Sequence, residues 1–251
     1  MMLVQSELLA DYPHGFTTRH GGVSLGELAS LNLAMRGHEE PVRLEENWRR
    51  VVAATPFDGG IDRVALLHQV HGDRVIVVDR PSGVLATVGE ADGAVTTRQD
   101  VVLAVRTADC VPVLYACPGG VAVAHAGWRG VAAEVVARTL EVLCEQTGVV
   151  ASHVRVVIGP HISQAAYEVG VDVIDGIART GVPEKVFVHA ATTPHVGLGA
   201  AVAFQLERLG VTLLDRCDPC TFSNPNFFSH RRDGAATGRL AGVIARPHCR
   251  G

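Results

Sequence analysis

No segment of the 251-residue sequence reaches the roughly 18 uninterrupted apolar residues of a membrane-spanning helix, which argues against a helical membrane protein. The opening stretch from Met1 to Gly15 contains Glu7 and Asp11 and lacks both a basic start and a sustained apolar run, so no secretory signal is expected. Cysteine is sparse: six residues (Cys110, Cys117, Cys144, Cys217, Cys220 and Cys249) are too few for a disulfide scaffold in a chain of this length. Reduced thiols in the cytoplasm are expected. Surplus positive charge is missing as well, with a formal net charge of −4 and a pI near 6.3. That balance excludes a nucleic-acid backbone or an anionic membrane as the main partner and points to a small molecule. No repeat, low-complexity tract or long polar linker interrupts the chain, and its longest irregular connection is Pro81 to Gly93.

What is present is apolar sequence: 47% of residues are hydrophobic, enough for a full core, and a single domain spanning residues 1–251 is expected. Runs rich in Val, Ile and Leu predict strands at Val64–Leu67, Val75–Val78, Val101–Val105, Val111–Leu114, Val121–Ala124, Val154–Ile158, Val186–His189 and Val211–Leu214. Between Val131 and Gln146, Ala132, Val136, Leu140 and Cys144 recur at helical spacing, and Gly148 supplies a stop. Further helices are expected over Val171–Ala178, Ala201–Leu209 and Pro41–Ala54, the last opened by its proline and with Asn47 and Arg49 directed outward. Strands come in clusters rather than in strict alternation with helices. The expected class is α+β, mixed β-sheets covered by helices in one compact domain.

Three segments place reactive side chains where an apolar strand gives way to glycine or polar residues: Leu67-His68-Gln69-Val70-His71-Gly72, Thr107-Ala108-Asp109-Cys110-Val111-Pro112 and Ala124-His125-Ala126-Gly127-Trp128-Arg129-Gly130. His71, Cys110 and His125 would supply the imidazole and thiolate donors that zinc prefers, leaving one position open for catalysis. Their separations are far too long for a zinc finger and require a fold that gathers three strand ends. If the strand continued through His68-Gln69-Val70-His71, alternation would turn the two histidines to opposite faces, leaving His68 outside the ligand set. Cys217-Asp218-Pro219-Cys220 could chelate a metal or form a local disulfide, but without a second pair it reads as a turn with incidental thiols. Arginines beside turn glycines in Arg19-His20-Gly21-Gly22 and Ser229-His230-Arg231-Arg232-Asp233-Gly234 have the forked donors that suit an oxyanion.

These segments belong to an ordered series: Phe16-Thr17-Thr18-Arg19-His20-Gly21-Gly22-Val23-Ser24, Ser30-Leu31-Asn32-Leu33, Gln69-Val70-His71-Gly72, Ala91-Asp92-Gly93, Ala108-Asp109-Cys110-Val111-Pro112, His125-Ala126-Gly127-Trp128-Arg129-Gly130, Ile158-Gly159-Pro160, Tyr167-Glu168-Val169, and Phe227-Phe228-Ser229-His230-Arg231-Arg232-Asp233-Gly234 with Thr237-Gly238-Arg239. The series resembles the family known as multicopper polyphenol oxidase or laccase-like, also called purine nucleoside phosphorylase and peptidoglycan editing factor. The resemblance places one zinc ion on His71, Cys110 and His125. It implies phosphate-dependent cleavage of purine nucleosides, with an accompanying adenosine deaminase activity. In that scheme Asp109 is a candidate general acid or base, Arg19, Arg129 and Arg231 are candidates for phosphate, and Arg231, Asn32 and Gln69 for substrate binding. The chain departs from the pattern at His161-Ile162-Ser163-Gln164-Ala165-Ala166, which lacks the usual cysteines, at His230 in place of a tyrosine, and across Thr192 to Phe204. These departures bear on substrate preference rather than on the metal.

Rival readings use the same residues. A phenol oxidase would need copper and further histidine-rich sites, and no H-x-H cluster appears among the twelve histidines. A metal-free hydrolase editing peptidoglycan precursors would take Cys110 as nucleophile and His125 as base. A purely structural zinc would need a fourth protein ligand.

Overall fold

The computed structural model describes residues 3–34, 39–57, 59–80, 83–188 and 193–247. Among the described residues lie fourteen strands and six α-helices, numbered in chain order. One mixed sheet runs in the order Leu3–Val4 (β1), His14–Thr17 (β2), Leu240–Ala245 (β14), Val102–Thr107 (β7), Val64–His68 (β3) and Thr87–Glu90 (β5). The second runs Leu213–Arg216 (β13), Arg155–Ile158 (β10), Val111–Cys117 (β8), Gly120–Ala126 (β9), Gly93–Thr96 (β6) and Val75–Val77 (β4). Phe187–Val188 (β11) and His195–Val196 (β12) form a separate antiparallel pair. The helices are Pro41–Ala54 (α1), Trp128–Ala132 (α2), Val135–Thr147 (α3), Val171–Ala178 (α4), Leu198–Arg208 (α5) and His230–Asp233 (α6).

Side-chain alternation arranges these elements in four layers. Along β8, Val113 and Tyr115 point into a cluster shared with Val136 and Leu140 of α3 and Val202 of α5, whereas Leu114 and Ala116 point into a cluster with Phe16, Leu67, Leu103 and Ile244 of the first sheet. The opposite face of the first sheet, carrying Leu66, Ala104 and Val243, packs on Leu44, Trp48, Val51 and Val52 of α1. The order is therefore α1, first sheet, second sheet, then α3 to α5. Both central faces are dry, which is why β8 and β9 are buried along their whole length and read as continuous apolar runs. The mixed sheets covered by helices match the expected class.

Three local expectations need correction. The predicted helix over Val131–Gln146 is two helices: Glu134 adopts a left-handed conformation (φ 58°) that breaks the path between α2 and α3, and its carboxylate pairs with Arg208 of α5. Asn47 does not face outward. It lies at i+3 from Leu44 on the buried stripe of α1, where its amide donates to Ser24 Oγ (2.8 Å) and Asn32 O (2.9 Å) and accepts from Val23 N–H (2.8 Å). The loops before α1 fold over that face and need a polar anchor. Finally, the strand that carries His68 ends there, so alternation does not reach His71. The run Val186–His189 contributes β11 only, and His189, like Cys249 at the other end of the chain, lies outside the described residues.

Because Asn47 satisfies three partners in a dry environment, Asn47→Ala should lower unfolding stability by about 2 kcal/mol. Denaturant titration checks this; an unchanged midpoint and slope would show that the loops do not depend on the anchor.

Candidate metal centre

His71, Cys110 and His125 come from three separate places. His71 lies in the turn after β3 with a left-handed backbone (φ 63°), a conformation that costs energy for any residue with a Cβ. The compensation comes from Asp92, which is fully buried between β5 and β6 and accepts from the backbone N–H groups of Val70 (3.1 Å), His71 (3.0 Å) and Gly72 (2.8 Å). The same carboxylate accepts from Nδ1 of His125 at 2.7 Å, and the carbonyl of Asp92 accepts from His125 N–H at 2.8 Å. Asp92 thus fixes the turn that carries one histidine and the ring orientation of the other, turning Nε2 of His125 toward the remaining donors.

Cys110 stands in the tight connection between β7 and β8. The preceding Asp109 has φ 91° and sits buried, its carboxylate accepting from Thr221 Oγ (2.6 Å), Ser229 Oγ (3.0 Å) and the N–H of Arg231 (2.7 Å). One donor atom from each of His71, Cys110 and His125 lies within 4.8 Å of the other two, and the two imidazole rings meet edge to face at 4.8 Å between centroids. Gly127 makes room for this approach, since a Cβ there would stand 2.9 Å from His71 Cδ2 and 3.1 Å from Cys110 Sγ.

The charges are mutually supportive. Burial pushes the Cys110 thiol up, but His125 and His71 beside it outweigh burial and bring it down to about 6. Burial opposes protonation of His125, yet Cys110 and Asp92 raise it to about 9. Asp92 is raised by burial and lowered further by His125 and the backbone N–H groups, so it stays ionised. Two imidazoles and a thiolate that converge with no fourth donor among the described residues fit a catalytic zinc set: soft sulfur, borderline nitrogen and one open position. Among the described residues this is the one group of three or more His, Cys, Asp or Glu side chains with that convergence.

Residues 13–247 match the family model described as multi-copper polyphenol oxidoreductase laccase. The chain belongs to this laccase family. It is 40% identical over 230 residues to a protein named purine nucleoside phosphorylase from Mycobacterium tuberculosis, covering 91% of this chain and 89% of that one. It is 38% identical over 241 residues to another of that name from Deinococcus radiodurans, covering 95% and 91%. Among solved structures, YlmD from Geobacillus stearothermophilus superposes with a TM-score of 0.89 at 30% identity, covering 97% of this chain and 94% of that one. The family's name suggests several copper ions, whereas the described residues of this member gather a single donor cluster.

His71, Cys110 and His125 open onto a cavity of about 1390 Å³. Asn32 and Gln69 also line it, but both amides are engaged: Asn32 accepts from Ala34 and Arg239 N–H and donates to Glu39, and Gln69 pairs with the backbone of Arg106 in both directions (2.8 and 2.9 Å). His68 borders the same cavity as His71 without joining the donor cluster. The three arginines expected around phosphate do not line it. Arg19 donates to the carbonyls of Ala29 and Glu27 and covers the Phe228 ring at 4.5 Å, Arg129 covers Trp128 at 4.5 Å, and Arg231 donates to Glu168 O and covers Tyr167 at 5.1 Å. Asp109 likewise has both oxygens occupied, and it braces the Cys110 turn instead of facing the cavity. The thiols of Cys217 and Cys220 turn to different partners, Gln5 O and Ser163 N–H. Residues that sequence reasoning left without a role are Asp92, Arg106 and Arg239; the first and last stand in the quoted motifs, which was the available signal.

Asp92→Asn preserves shape but puts an amide where His125 and three backbone N–H groups need an acceptor on both oxygens. Zinc affinity measured by chelator competition should fall about 10- to 100-fold. Parent-like affinity would show that the carboxylate does not organise the centre.

Proposed function

We propose that the protein is a zinc-dependent purine nucleoside phosphorylase acting on adenosine, inosine, guanosine and related nucleosides, with an accompanying adenosine deaminase activity. The observation that carries this reading is the His71, Cys110 and His125 cluster opening onto a cavity above the usual size of small-molecule sites, in a chain whose relatives bear that name. A zinc ion held by these three side chains would supply Lewis acidity, making an oxygen or nitrogen beside it more reactive near neutral pH. Asp92 orients His125 and the His71 turn, and Asp109 holds the Cys110 turn in place. Asn32 and Gln69 each have a second amide N–H with which to meet the nucleoside.

In phosphorolysis the bond between ribose C1′ and the purine nitrogen breaks, and its electron pair leaves with the base. An oxygen of hydrogen phosphate bonds to C1′, and the proton that phosphate gives up is the one the base gains. In deamination water adds at the purine carbon bearing the amine, and ammonia departs. Both reactions suit a cavity lined by polar side chains such as Asn32, Gln69 and Thr107 as well as by apolar ones such as Leu28 and Leu85. Among the described residues no helix is long and apolar enough to cross a membrane, and Cys110, Cys117, Cys144, Cys217 and Cys220 are all free thiols, which supports a reducing compartment such as the cytoplasm.

One observation favours a second reading. Cys110, His125 and Asp92 form a thiolate, imidazole and carboxylate chain of the kind that serves covalent hydrolysis. Copper is the alternative metal for the same donors. Incubating purified protein with adenosine, with and without phosphate, and resolving the products tests the proposal: adenine and ribose 1-phosphate should appear only with phosphate, and inosine in either case. In Cys110→Ser, bound zinc and nucleoside cleavage should be lost together, and alkylation of parent Cys110 should be slow until a chelator removes the metal. Turnover that survives full chelation but is abolished by alkylation would select the hydrolase instead, and turnover restored only by copper the oxidase.

A further inference from the structure

The cavity beside the donor cluster is rich in fixed positive charge. Two guanidinium groups, those of Arg106 and Arg239, line it, against one carboxylate, Glu27, among the described lining residues. Strand pairing puts them side by side. Leu240 of β14 lies opposite Thr107 of β7, and Ala241 opposite Arg106, so Arg239 and Arg106 flank the start of the connection that carries Cys110.

Each arginine is held at its root. Arg106 has its backbone locked by Gln69 and donates from Nη2 to Leu67 O at 2.7 Å. Arg239 has its N–H on Asn32 Oδ1 (3.0 Å) and its carbonyl accepting from Leu33 N–H (3.0 Å), while Nη1 donates to the carbonyls of Thr237 (2.7 Å) and Gly238 (3.1 Å). Among the described residues Arg239 has no carboxylate within ion-pair distance, although it is half-buried, and burial pulls its pKa below the usual arginine value against the opposing charges of Cys110 and Asp109. A desolvated guanidinium satisfied only by carbonyls on one nitrogen is an incomplete ion pair, and a bound anion would complete it. Arg232, by contrast, has Asp233 at 2.7 Å.

We infer that Arg239 and Arg106 form the oxyanion subsite of this cavity and hold the attacking phosphate beside His71, Cys110 and His125. The inference deepens the phosphorylase reading and rests on it. It also assigns phosphate to residues other than Arg19, Arg129 and Arg231, whose guanidinium groups cap loops or cover aromatic rings outside the cavity. Arg239 uses its fork on two phosphate oxygens, and Arg106 adds charge from the neighbouring strand.

The test measures two quantities in the parent, Arg239→Gln, Arg239→Lys and Arg106→Gln: steady-state KM for phosphate and for nucleoside, and direct binding of inorganic phosphate by equilibrium dialysis. Arg239→Gln should raise the KM for phosphate by about ten-fold or more, with weaker dialysis binding, and should raise the KM for nucleoside by less. Arg239→Lys, which keeps charge but loses the fork, should fall between the two. If Arg106→Gln unfolds, as melting would reveal, the Arg239 pair decides alone. Unchanged phosphate KM and binding in both Arg239 variants overturns the subsite, as does a phosphate KM that moves instead with Arg129→Gln or Arg231→Gln. A parent that binds phosphate through Arg239 but makes no ribose 1-phosphate would leave the anion site standing and remove the phosphorylase reading.

Discussion

The buried carboxylate of Asp92 is the interaction on which the centre depends. It joins two elements distant in sequence: the left-handed turn after β3 that presents His71, and the strand β9 that presents His125. Four hydrogen bonds to one ionised group compensate its burial, and the charge on His125 keeps it ionised. Gly127 clears the space where the rings and the thiol meet, and Asp109 braces the third donor from the other side. A second buried acid thus does for Cys110 what Asp92 does for the histidines.

The layers explain why the centre is rigid. The strands that carry or flank the donors are covered on both faces, so the turns at their ends inherit the order of the core. The ends of β3, β7 and β9 gather on one edge of the two facing sheets, and the cavity opens there. Its rim is built from loops anchored by Asn32 and Asn47, polar residues that the surrounding apolar packing leaves no freedom to misplace.

Much of this is legible in the sequence itself. His71, Cys110 and His125 were readable because each stands where an apolar run stops beside glycine or a polar residue, and the resemblance named the same three. Sheet-rich architecture followed from the clustered Val and Ile runs. Asp92 was not readable as a positioning residue, since an Asp before Gly93 looks like a turn residue until the pairing of Gly93 with Ala124 sets it beside His125. Arg239 was hidden for the same reason: only the register between β14 and β7 reveals which arginine reaches the cavity. For Asn47 polarity suggests an outward position, but its i+3 spacing from Leu44 puts it on the buried stripe. The missed strand β14, Leu-Ala-Gly-Val-Ile-Ala, has its apolar pattern diluted by small residues, and Gly242 is small because the Phe16 ring lies against it.

The central claim is that two imidazoles and the Cys110 sulfur together hold a single zinc ion. X-ray absorption at the zinc edge of the purified protein tests it without reference to activity. The account predicts one sulfur at roughly 2.3 Å and two imidazole nitrogens at roughly 2.0 to 2.1 Å, with the sulfur contribution missing in Cys110→Ser. A zinc environment of nitrogen and oxygen alone, or a sulfur contribution that survives removal of Cys110, would contradict it.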